Sequence, residues 1–165
     1  MQEGSLAVGK YALACVRIGE GNDLARFDLV APDQKSDLDM YVYTASSCDP
    51  ATITGVAGEV ATPSPGETFS LEGAPAGTYL VEVDAYAAGS PGAAVPYSLR
   101  VYDLGGTPSV GGLAVRPDPV PVTTGGSTSF AASWSGLDPG AHYLGLLGYD
   151  GSPGSTALYV DTSAP

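Results

Sequence analysis

Positive charge is the first scarcity. Six Lys and Arg stand against 18 Asp and Glu in 165 residues, a formal net charge of −12. Nucleic-acid binding needs clustered cations to neutralise phosphates, and six scattered ones in an acidic chain supply no such patch. Histidine is scarcer still, with His142 alone. A Ser–His–Asp mechanism would have to use it as general base, and no Gly-x-Ser-x-Gly elbow accompanies it. Its place between Ala141 and Tyr143 in a strand-like run is that of an ordinary sheet histidine. Two Cys and one His are too few donors for zinc-type hydrolysis. Carboxylates are plentiful, but no pair stands out for glycoside hydrolysis. We therefore read the chain as not an enzyme by itself. No apolar run approaches the roughly 18 residues of a membrane helix, and no stretch carries the helical period of a coiled coil.

What is abundant is turn-forming and strand-forming material. There are 23 Gly and 14 Pro, against average usages of about 7% and 5%. Ten Tyr, three Phe and Trp134 fall in short alternating runs, which argues against disorder. Tyr11-Ala12-Leu13-Ala14-Cys15-Val16-Arg17-Ile18 is a first strand, closed by Gly19 and Glu20-Gly21-Asn22-Asp23. Residues 24–30 form a second, stopped by Ala31-Pro32-Asp33. Asp37-Leu38-Asp39-Met40-Tyr41-Val42-Tyr43 alternates most clearly, with Leu38, Met40 and Val42 on one face and Asp37, Asp39, Tyr41 and Tyr43 on the other. After a polar stretch to Pro65-Gly66 come strands at residues 68–71, 78–86 and 97–102, with Glu82 and Asp84 outward. Six or so strands and no helical segment predict an all-β fold, an antiparallel jelly-roll-type β-sandwich over residues 10–104.

Residues 1–9 read as a loose tail, and the Gly-rich stretch 105–112 as a linker. Beyond it, residues 113–165 predict a small Ig-like or fibronectin-like β module. Pro117, Pro119 and Pro121 alternate, so that stretch suits only an edge strand or an extended entry. Residues 127–135 place Phe130, Ala132 and Trp134 on one face, and strands follow at 142–149 and 155–161. Of the net charge, residues 1–104 carry 14 acids and 5 bases, so the acidity belongs mainly to the larger module. Met1-Gln2-Glu3-Gly4-Ser5 lacks the basic start and apolar stretch of a secretion signal, as expected of a cytosolic chain or of a piece of a longer secreted protein. Cys15 and Cys48 fall in or beside predicted strands; paired, they imply an oxidising compartment, and unpaired they are two buried thiols. The scarcity of Lys, with only Lys10 and Lys35, suits an extracellular protein.

Two groups of residues are candidates for binding. Calcium takes hard oxygen ligands. Asp37 and Asp39 point out the same side of a strand, Glu20, Asn22 and Asp23 make an acidic turn, and Asp33 lies on a loop nearby in sequence. Convergence of these loops would surround an ion; otherwise the acids are a solvated, solubilising face. Tyr41, Tyr43, Tyr86 and Tyr102 fall opposite the apolar sets. A row of Tyr on a sheet face suits an extended peptide or a glycan, unless the rings serve cross-strand pairing.

Residues 37–43, residues 67–71, Pro75-Ala76-Gly77-Thr78-Tyr79-Leu80-Val81-Glu82-Val83 and Tyr97-Ser98-Leu99 together resemble the bacterial pre-peptidase C-terminal domain. Thr124-Gly125-Gly126, Ser133-Trp134-Ser135-Gly136-Leu137 and Pro139-Gly140 through Tyr143-Leu144-Gly145 look like the module that ends actinobacterial subtilisin-like serine peptidases. The resemblance spans roughly residues 12–161 and implies a jelly-roll sandwich with a terminal module, secreted as the non-catalytic accessory region of such a peptidase. The peptidase's own Gly-Thr-Ser-x-Ala-x-Pro motif is absent. Similar domains in collagenases bind collagen and calcium, and Glu20, Asn22 and Asp23 match their acidic segment loosely. The expected partners are extracellular protein or peptide substrate, or a catalytic protease domain. Two other functions remain open at this stage. One is a structural or self-associating extracellular subunit using edges near Pro117–Pro121; the other is a carbohydrate-binding module reading glycans through Tyr41 and Tyr43.

Overall fold

The computed structural model describes residues 1–105, 110–151 and 154–162. The protein is all-β, and it divides into two units, Met1–Gly106 and Thr107–Pro165.

The strands of the first unit are β1 (Gln2–Ala7), β2 (Tyr11–Ile18), β3 (Asn22–Val30), β4 (Asp37–Ala45), β5 (Ile53–Val60), β6 (Gly66–Glu72), β7 (Gly77–Ala87) and β8 (Ala94–Gly105). They form two four-stranded antiparallel sheets, ordered β1-β8-β3-β6 and β2-β7-β4-β5. The pairings nest: β1 with β8, β2 with β7, β3 with β6 and β4 with β5. This is one long two-stranded ribbon rolled into a sandwich, the jelly roll. Its closed tip is the β4–β5 connection, residues 46–52, which contains a single 3-10 turn, Pro50–Thr52, capped by the Asp49 carboxylate on the Ala51 N–H.

Alternation drives the packing. Ala25, Phe27 and Leu29 of β3 face Leu38, Met40 and Val42 of β4 and Val81, Val83 and Ala85 of β7, and all nine are buried. The Phe27 ring stacks on Phe69 at 6.2 Å and tilts toward Tyr79 at 6.3 Å between centroids. Tyr79 buries its ring and donates its hydroxyl to the Pro75 carbonyl, so the polar tip is not stranded in the core.

Two edge strands escaped the sequence pattern, and each carries a glycine beneath an aromatic ring. Residues 1–9 are not a loose tail: β1 pairs with β8 along its whole length, and Gly4 lies directly opposite Tyr97. A Cβ on Gly4 would come within 2.6 Å of the Tyr97 ring. In β5, a Cβ on Gly58 would meet the Phe69 ring at 2.1 Å. Glycines that read as breaks in sequence are slots for rings from the neighbouring strand or the facing sheet.

In the second unit β9 (Gly112–Arg116) pairs with β10 (Ala131–Ser135), and β11 (His142–Gly148) pairs with β12 (Ser155–Asp161). Among the described residues the unit holds these two antiparallel pairs. A Cβ on Gly145 would sit 2.7 Å from the Leu113 side chain, so the two pairs close on each other there. Among its described residues only Val160 is a buried hydrophobic, while Trp134 and Phe130 are exposed. Of the two readings of Pro117–Pro121, edge strand or extended entry, the stretch is no strand, and β9 ends just before it; three prolines cannot donate to a ladder. Most of the expected linker, residues 106–109, lies outside the described residues.

Candidate binding face

The outer face of the β2-β7-β4-β5 sheet follows from register. Leu38, Met40 and Val42 turn inward, so Asp39, Tyr41 and Tyr43 turn outward. Asp39 stands directly opposite Asp84 on β7, and Asp84 opposite Tyr11 on β2. The next row reads Leu13, Glu82, Tyr41 and Glu59 across β2, β7, β4 and β5. The third row reads Cys15, Leu80, Tyr43 and Val56. Directly opposed residues lie about 4.5–5.5 Å apart at Cα. The face is therefore an acidic band interleaved with phenol rings.

The third row is covered at Leu80, while Val56 at its β5 end is exposed. Cys15 and Cys48 form a disulfide, Cα–Cα 5.4 Å, that carries the ribbon tip across β7 to β2. Leu80 faces away from the inter-sheet core, directly between Cys15 and Tyr43, yet it is 1% exposed. The tip is itself braced: the Thr52 hydroxyl donates to the Asp49 carbonyl at 2.6 Å, and Ser47 N–H donates to the Thr52 hydroxyl.

The first two rows are electrostatically loaded. Burial, and then the carboxylates of Asp37, Asp84, Glu67 and Glu59, push the Asp39 carboxyl above its ordinary range. Burial and the neighbouring Asp84 raise Glu82, an effect offset in part by the nearby Tyr43 hydroxyl. The Tyr41 and Tyr43 phenols are raised by burial and by the same carboxylates. No Lys or Arg makes an ion pair with this band among the described residues, where the Arg–carboxylate pair is Arg26–Asp28 on the other sheet at 2.8 Å, with Thr68 as a further donor to Asp28.

The sequence candidates divide accordingly. Tyr41, Tyr43 and Tyr86 share this face, Tyr86 lying 68% exposed at its margin. Tyr102 does not join them: it belongs to β8 in the opposite sheet, across from Arg26. The calcium set also comes apart. Asp37 and Asp39 lie at the end of the sheet where β2 begins, whereas Glu20, Asn22 and Asp23 follow the far end of β2. Asn22 is a clamp, its amide donating to Asp103 and accepting from the Ala74 N–H. Asp33 closes a turn, accepting from Lys35 N–H and from Ser36 N–H and hydroxyl, which lowers its carboxyl. Asp37 accepts the Ser64 N–H. Among the described residues no three Asp, Glu, His or Cys side chains gather as a metal-holding group. Sequence reading missed Tyr11, Glu59, Glu82 and Asp84 as members of the face; the outward alternation of Glu82 and Asp84 was visible, but which strand they pair with was not.

His142 faces Asp161 across β11 and β12, Nδ1 to Oδ2 at 3.3 Å, with its ring stacked on Tyr159 at 6.1 Å. No helix among the described residues is long and apolar enough to cross a membrane. No protein-family model matches the chain, and no curated protein is similar to it.

Proposed function

We propose that this chain is a non-catalytic, extracellular protein-binding region, the accessory part of a secreted subtilisin-like serine peptidase, acting by holding protein substrate or stabilising the enzyme. The observation that carries the binding reading is the outer face of β2-β7-β4-β5, where Tyr11, Tyr41, Asp39, Glu82 and Asp84 present a band to which no cation among the described residues is ion-paired. Flat sheet faces with aromatic and charged side chains suit extended protein segments, because rings give area at low entropic cost and charges fix register. The Cys15–Cys48 disulfide supports an oxidising compartment. The peptidase connection rests on the resemblance of residues 12–161 alone.

A pull-down on insoluble collagen, casein and polysaccharides tests the reading. Retention on a protein matrix, with loss of retention in Tyr41→Ala, is the expected result. Retention on polysaccharide alone would make the chain a glycan-binding module. Failure on every matrix together with concentration-dependent assembly would make it a structural subunit.

A further inference from the structure

We infer that the far half of β8 is a docking edge for an extended segment of another protein. That segment joins the sheet as a strand in line with β1 and places a Val- or Leu-sized side chain between the sheets, beside Val101. The edge is separate from the sheet face proposed above.

β8 is 12 residues long and β1 only 6. β1 covers Ala94–Leu99, while β3 flanks the other side of β8 as far as Gly105. The phase of the ladders tells which main-chain groups are left over. Just past the Val30–Gly66 pair of β3 and β6, the Ala31 N–H donates to the Pro65 carbonyl. Hydrogen-bonded pairs alternate along an antiparallel ladder, so Phe27 and Leu29 turn their main chains to β6, and Arg26 and Asp28 turn theirs to β8. Tyr102 and Arg100, directly across from them, bond to β3. Leu99, Val101 and Asp103 therefore turn theirs to the β1 side. Leu99 meets Gln2 there, but among the described residues no strand meets Val101 or Asp103. Such a row of N–H and C=O groups is what an added strand pairs with. β5, another edge, is broken by register shifts at Val42/Tyr43 and Thr44/Ala45, the kind of irregularity that blunts an edge. β8 runs from Arg100 to Asp103 along β3 without a shift.

A place for a side chain lies beside this open ladder. A cleft of about 240 Å³ is lined by Ala14 and Val16 of β2 and by Leu99 and Val101 of β8, with Met1 and Gln2 at its β1 end. Leu99, opposite β1, is 2% exposed, whereas Val16 and Val101 are only partly buried. Residues directly opposite in a ladder share a face, so an added strand directs the residue across from Val101 into the cleft. The occupant follows from these features together. Another main chain supplies the donors and acceptors at strand spacing, continuity with β1 makes it antiparallel to β8, and the cleft takes an apolar side chain.

The test is an amide NMR titration of the full chain with three probes in turn: an acetylated Ser-Thr-Val-Thr-Val-Ser amide, its analogue with Asp for both Val, and its analogue N-methylated at both Val. The first peptide is expected to shift the amides of residues 99–104, Ala14 and Val16 saturably, and the two analogues are not. Val101→Thr, nearly isosteric and equally fit for a strand, takes one methyl from the cleft and should weaken binding about fourfold. Val56→Thr, the same change at an exposed Val of β5, should leave binding unchanged. An equal response to the N-methylated peptide overturns main-chain pairing, and an equal response to the Asp peptide overturns the role of the cleft. No shift, or shifts centred on β5 or β6, overturns the docking edge itself. Shifts of the same amides on concentrating the chain alone, with none from the peptide, would make the occupant a second copy and overturn the proposal too. The peptide reads β8 and the matrix pull-down with Tyr41→Ala reads the sheet face, so either can fail while the other stands.

Discussion

Asp39 is a residue whose charge the fold opposes. Its raised folded pKa, set by burial first and by Asp37, Asp84, Glu67 and Glu59 after it, means that the folded state takes up the proton more readily than the unfolded chain. By linkage this group's contribution to stability declines as pH rises through the folded pKa, and the penalty vanishes below the unfolded value near 3.8. Asp39→Asn should therefore stabilise the free protein at pH 7, by about 0.5–1 kcal/mol, and leave it unchanged near pH 3. Urea titrations at the two pH values check this; equal effects at both would contradict it. Gly58 is the opposite case, a residue defined by what it leaves out. Gly58→Ala places a methyl into the Phe69 ring, at 2.1 Å before any relaxation. It should cost about 1–3 kcal/mol, read as a lowered urea midpoint at unchanged slope.

At the level of elements, the sequence pattern located the strands that bury one face cleanly. β2 and β12 have the bounds their alternation predicts, and β4 divides Leu38, Met40 and Val42 from Asp39, Tyr41 and Tyr43 as read. β1 and β5 stayed hidden because Gly4 and Gly58 interrupt the pattern for packing reasons that only the ring of another strand explains. The binding band was half legible for a related reason. Periodicity sets the face of a residue, but the pairing of Asp39 with Asp84, and of Tyr41 with Glu82 and Glu59, depends on register between strands distant in sequence. The same blindness grouped Glu20, Asn22 and Asp23 with Asp37, although Glu20 follows the far end of β2 and Asn22 and Asp23 open β3 in the other sheet. The disulfide fixes that ribbon at its tip. It closes a loop of 33 residues in sequence separation, for which chain entropy gives about 3–4 kcal/mol. Cys15→Ser with Cys48→Ser should lose stability of that order and speed amide exchange first in residues 46–52 and around Leu80. Uniform exchange across both sheets would contradict a role localised to the tip.

Across the whole molecule, a net charge of −12 with 15% charged residues means that little of the acidity is offset nearby. Salt should stabilise the chain, most steeply up to about 0.15 M, where the Debye length is already about 8 Å. Thermal melts across a sodium chloride series check the sign, and destabilisation by salt would show that ion pairs outweigh the repulsion. The nested pairing has one further consequence, concerning how the first unit tolerates being rewired. β1 and β8 are neighbours, with Gln2 opposite Leu99 and Gly105 six residues further along the same direction, about 20 Å at roughly 3.3 Å per residue. A linker of about a dozen Gly or Ser spans that gap. A circular permutant of residues 2–105, joined there and reopened in the exposed turn at Gly92, should keep the same sheets and the same Cys15–Cys48 bond. The unit can accordingly be grafted into a surface loop of another protein with both of its ends leaving from one side.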